Sequence, residues 1–144
     1  MTKNRFRFRA WDKKNKRMLY NIQEAYDGYC VEDEKGNEVE NCCVDCFSSF
    51  FPYDDNDKNE DFIVEQCTGL KDKNGRLIYE GDIIRLPWQA GWPDLIGVVK
   101  FNELYACFLL SKTITDKAEQ SFWWNAGKEV IGNIHENPEL LEDK

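Results

Sequence analysis

The chain holds one histidine in 144 residues, His135, so the commonest general base and metal ligand is missing from nearly all of it. Its nine glycines form no phosphate-cradling loop of the Walker or dinucleotide type. No nucleophile stands beside a base, and the acids are scattered. The expectation is therefore a protein that is not an enzyme and carries no cofactor. No apolar run approaches the roughly 18 residues that a membrane-spanning helix needs, so no membrane partner is expected. The basic start, Met1 to Lys14, has no apolar segment behind it; the reading is a chain without a secretory signal, placed in the cytoplasm.

Present instead are enough apolar residues, 42%, for one core with a small satellite, and an uneven charge. Residues 1–20 contain eight of the nineteen Lys and Arg and one acid, a net +7, which leaves −15 on the other 124 residues. Arg5, Arg7 and Arg9 alternate with Phe6 and Phe8, the pattern of a half-buried strand with its arginines toward solvent. The same three arginines are candidates for a phosphate-contacting edge, although an acidic body disfavours wide contact with nucleic acid.

Six cysteines stand at 30, 42, 43, 46, 67 and 107. Without a secretion signal they are expected as reduced thiols rather than a disulfide framework. Cys43 and Cys46 make one CxxC pair. Cys30 and Cys67 can complete four zinc ligands only as isolated residues, without a second paired knuckle, so no metal is expected. The acidic run Tyr53–Asp61 looks like calcium-loop material but lacks the glycine and closing glutamate of an EF-hand, and reads as a solvated loop.

Strand signals dominate the rest. Arg5–Trp11 and Arg17–Ile22 flank the polar turn Asp12–Lys16 and read as a hairpin. A second small hairpin is expected around Glu34–Asn37, and residues 41–51 as a short helix or packed loop. From Phe62 onward, short β-branched strands follow closely: 62–67, 83–86, 96–101, 106–110 and 129–134. Asn74-Gly75 marks a tight turn, and Pro87 stops a strand. This reads as a small closed β-barrel over residues 62–144, preceded by a hairpin-bearing region over 1–61. Asn137-Pro138-Glu139 has the signature of a helix start. Glu80 and Asp82 are a paired-carboxylate candidate, more simply explained if Asp82 accepts turn amides.

Three blocks carry a family likeness. They are Phe8–Asp12 with Met18–Tyr20, Thr68–Gly75 with Ile78–Ile84, and Val130–Leu141. Together they resemble the YopX-like family of bacteriophage and prophage proteins. The resemblance implies a mainly β protein whose C-terminal domain is a small SH3-like barrel. It also implies an origin in a phage or prophage of a bacterial host. It implies no established activity and transfers no site residues.

Two function classes remain. The first is an accessory protein-interaction module, homo-oligomeric or bound to a host or phage protein. Twenty Phe, Tyr and Trp residues exceed what a small core hides, and Trp88, Trp92, Trp123 and Trp124 are its candidate surface. The second is nucleic-acid binding through Arg5, Arg7, Arg9 and stacking aromatics, or mimicry of nucleic acid by the acidic body. Native mass spectrometry of protein purified without chelator is expected to show no metal; one stoichiometric zinc per chain would overturn the reading of the cysteines.

Overall fold

The computed structural model describes residues 6–24, 31–39 and 61–141. Arg5, the cysteines at 30, 42, 43 and 46, the segment 41–51 and most of the acidic run lie outside the described residues. The fold is mainly β. In chain order the strands are β1 (Phe8–Asp12), β2 (Arg17–Tyr20), β3 (Phe62–Lys71), β4 (Leu77–Tyr79), β5 (Asp82–Leu86), β6 (Leu95–Asn102), β7 (Cys107–Ser111) and β8 (Glu129–Asn133). Short 3-10 turns occur at Ile22–Glu24 and Pro138–Leu141. Two four-stranded sheets form, in the orders β2-β1-β3-β4 and β7-β6-β5-β8. The chain divides into two compact units, Lys3–Cys67 and Thr68–Lys144.

In the first unit β1 lies between β2 and β3, antiparallel to both. One face of this sheet builds a core from Ala10 and Leu19 with Ile22, Val31 and Val39, against which Phe8, Phe62 and Val64 pack. The β1–β2 turn is organised by Asp12. Its carboxylate accepts from the Lys14 and Asn15 amides at 3.1 Å and from Asn15 Nδ2 at 2.8 Å, and pairs with Arg17. The expected second hairpin is present in minimal form. Glu32 bridges Glu38, and Asp33 Oδ1 accepts from the Lys35 and Asn37 amides at 2.9 Å.

In the second unit β5 and β6 are the middle strands. A core of Ile78, Ile84, Leu86, Val99, Leu110, Phe122 and Val130 lies under them, with Leu70, Leu95 and Phe108 at its edge. Gly97 is required in β6, because a Cβ there would stand 2.8 Å from the Ser111 carbonyl oxygen across the ladder. β8 carries a bulge at Ile131, between the pairs Ile83–Gly132 and Ile84–Val130. β3 runs four residues beyond the expected Cys67, because Thr68 accepts from the Leu70 amide and donates to the Ile78 carbonyl, extending pairing up to the turn.

That turn is held by Asp72, which is buried. Its Oδ1 accepts from the amides of Asn74 and Arg76 at 2.9 Å, and its Oδ2 from the amide of Val130 at 3.1 Å. One side chain thus closes the β3–β4 turn and fastens it to β8. Asp82, fully buried, accepts from the Tyr79 amide at 2.8 Å, in line with the turn role read from its sequence. Asn133 accepts from the amides of His135 and Glu136, and the Asn137 carbonyl accepts from Leu140 in the 3-10 turn that stands where the helix start was expected.

Two expectations follow. Asp72→Ala leaves amides without their acceptor and should lower the unfolding free energy by roughly 2–3 kcal/mol in urea titration, with Asp72→Asn losing less; a loss below about 0.5 kcal/mol would mean that the clamp is idle. The second concerns Asp12. Burial pushes its carboxyl upward, but the Asn15 side chain and amide, the Arg17 charge and the Lys14 amide outweigh this and hold it below the usual carboxylate range. A carboxyl depressed in the folded state stabilises above its unfolded-state pKa, about 3.9, and that stability is lost as pH falls through the folded value. Asp12→Asn should therefore destabilise at neutral pH and progressively less below about pH 4, read from urea midpoints across the pH series.

Candidate interaction surface

The strand stop at Pro87 begins the site. β5 ends at Leu86, and the loop that follows carries Trp88 and Trp92, 42% and 66% exposed. A turn at 89–92 closes with the Trp92 amide donating to the Gln89 carbonyl, and Gly91 supplies the positive φ that this turn needs. The second component is the segment before β8. Phe122 enters the core completely, which turns Trp123 and Trp124 outward at 53% and 55% exposure. The Phe-Trp-Trp run is thus divided between core and surface.

The two segments are fastened together. Asn125 Nδ2 donates to the Pro87 carbonyl at 2.8 Å, and Asn125 Oδ1 accepts from the Gly127 amide at 2.9 Å. Gly127 lies so close to Pro87 that a Cβ would stand 2.9 Å from the proline ring. Lys128, itself buried, donates its ammonium to the Asn125 carbonyl at 2.9 Å, capping the turn from below. On this base Trp124 donates its indole N–H to Ser121 Oγ at 3.0 Å. Its ring meets Trp88 edge-on, centroids 6.0 Å apart and planes at 64°. The tryptophans are therefore held by turns with satisfied hydrogen bonds.

Charges flank this end. Arg85 pairs with Glu129, and Lys73 reaches the same carboxylate at 3.1 Å. The Arg85 hydrogen bond first, then that of Lys73, holds the Glu129 carboxyl below its usual range.

The basic edge is corrected. Arg9 was expected to face solvent with Arg5 and Arg7. It is 1% exposed, and its Nε lies 2.9 Å from Glu65 Oε1 on the neighbouring strand. The cause is the position of β1. A central strand flanked by β2 and β3 is covered on both faces here, with Met18 and Cys67 also buried on the Arg9 side. Arg7 is exposed; Arg5 lies outside the described residues. Cys67 is buried and Cys107 half-buried, and among the described residues no group of His, Cys, Asp and Glu gathers in a metal-binding arrangement. No helix among them is long and apolar enough to cross a membrane.

One set of exposed apolar residues escaped the sequence reading. The β6–β7 turn presents Leu104 at 83% and Tyr105 at 68% exposure, with Phe101 at 46% on the strand beside it. Phe101 packs edge-on against Phe108, centroids 5.4 Å apart. These residues border an open cleft of about 730 Å³ between residues 100–105 and 116–119. The available signal was Leu104-Tyr105 within an otherwise polar turn, where neither side chain is needed for the turn itself.

Residues 7–142 match the YopX protein family. The chain belongs to the YopX family. Among solved structures it is similar to the crystal structure of protein EF1440 from Enterococcus faecalis, with a TM-score of 0.54 and 28% identity over 94% of this chain and 97% of that one. It is also similar to the X-ray structure of protein yopX from Bacillus subtilis, with a TM-score of 0.53 and 21% identity over 99% and 100% of the two chains. These likenesses establish a shared fold. A comparison with curated proteins found no match.

Proposed function

We propose that this YopX-family chain is a non-enzymatic protein-interaction module of phage or prophage origin. It acts in the cytoplasm of a bacterial host, its C-terminal unit reads as a small SH3-like barrel, and its contact surface is the tryptophan end. The observation that carries this reading is four tryptophans, 42–66% exposed, displayed on turns fixed by buried Asn125 and Lys128. Large apolar side chains held rigidly in water are what protein interfaces use as anchors, because little conformational freedom is lost when a partner covers them.

The nucleic-acid reading is weaker by comparison. Arg9 is committed to an internal ion pair with Glu65, which removes one of the three arginines on which that edge depended. The simplest occupant of the tryptophan surface is another copy of the chain. An aromatic interface is insensitive to screening and should persist or tighten as salt rises, whereas a contact of the basic hairpin with an acidic body should weaken. Sedimentation velocity at low and high salt separates the two, and association that collapses with added salt would overturn the aromatic surface as the contact.

A further inference from the structure

We infer that copies of this chain associate head to tail, with the tryptophan end of one copy seated in the Leu104–Tyr105 cleft of the next. The inference rests on the reading of the tryptophan surface above and supplies its occupant. Both surfaces belong to the second unit, at opposite ends of one strand. β6 starts at Leu95, just after the tryptophan loop, and ends at Asn102, where the β6–β7 turn begins. Eight extended residues span on the order of 25 Å. One chain therefore cannot place Trp92 in its own cleft.

The cleft is preformed. Asn102 Nδ2 donates to the Ala118 carbonyl at 2.8 Å and Lys100 Nζ to the Asp116 carbonyl at 2.9 Å, tying its two walls together. The Tyr105 amide donates to Asn102 Oδ1 at 3.0 Å, and Ala106 holds a positive φ of 52°, so the tip has a fixed shape. The two ends differ in form, one an open cleft and the other a set of projecting indoles, and they differ weakly in charge. The cleft lining has two lysines against three acids. The tryptophan end has Lys73, Arg85 and Lys128 against Asp94 and Glu129.

Area favours joining them. At about 250 Å² for a whole tryptophan, the four exposed indoles present roughly 500 Å², and Phe101, Leu104 and Tyr105 add about 400 Å². The sum is about three-quarters of the roughly 1,200 Å² of a small specific interface before any polar rim is counted. A two-fold contact of tryptophan end with tryptophan end would leave Leu104 and the cleft in water. A heterologous contact covers both, and repeats into a ring or an open filament.

Complementation of variants tests this. Trp92→Ser disables one end and Leu104→Ser the other; both positions are exposed, and urea unfolding verifies that each variant is folded. Trp124→Ser and Tyr105→Ser form an independent pair. In sedimentation velocity the wild type should grow beyond a dimer with concentration. Each variant alone should lose at least about tenfold in association constant, and an equimolar mixture of the two should recover a dimer and stop there. Leu104→Ser protein that self-associates like the wild type would overturn the head-to-tail contact while leaving the tryptophan surface in place. Unaltered association of both variants would overturn the two readings together, and a wild type that is monomeric at every concentration would overturn head-to-tail assembly alone.

Discussion

The Asp72 carboxylate is the constraint on which the second unit depends. A β-rich chain with short connections faces a supply problem at every turn, since amides leave the ladder and must find an acceptor within a few residues. Asp72 accepts from three of them, two in its own turn and one, Val130, 58 positions away. The β3–β4 turn and β8 are held by the same two oxygens. Asp12, Asp33, Asp82 and Asn133 repeat the device on a smaller scale. The blocks through which the chain resembles its family contain Asp12, Asp72, Asp82 and Asn133. Their chemistry is that of turn closure, which explains why a family likeness so specific in residues says so little about activity.

Much of the fold was legible because period-two alternation and turn chemistry are local. Phe8–Trp11, Asn74-Gly75 and the stop at Pro87 each act over a few residues and stand close to where the sequence places them, whereas the expected C-terminal helix start is a 3-10 turn and β3 runs on to Lys71. Trp88 and Trp92 were legible as exposed because Pro87 ends β5 and leaves them in a loop, while Trp123 and Trp124 turn outward where Phe122 takes the core position of their segment. The contact between Trp88 and Trp124 was not, since it depends on Asn125 reaching the Pro87 carbonyl across 38 positions. Arg9 failed for a related reason. Alternation shows which residues share a face, but whether that face is covered depends on the sheet order, which no single strand encodes.

The apolar residues of the β6–β7 turn show the opposite limit. Leu104 and Tyr105 break the polar composition expected of a hairpin tip, so their oddity is visible in the sequence. What they border is not, because Lys117 and Ala118 come beside them only through a returning segment that no periodicity marks. Sites assembled from one strand end and one irregular segment are therefore the part of this molecule that composition and spacing leave unread.

The burial of Arg9 against Glu65 has a consequence for strand alignment. The two residues are direct cross-strand partners between β1 and β3. A slip of one position would set Arg9 opposite Val64 or Gln66 and strand two charges in a covered layer, at a cost of roughly 3–5 kcal/mol. The same slip would turn Val64 away from the core of Ala10 and Leu19, so the apolar pattern and the ion pair select the same alignment. The ion pair therefore works as a registration mark. Its value to the protein lies less in the stability of the correct alignment than in the penalty attached to every incorrect one.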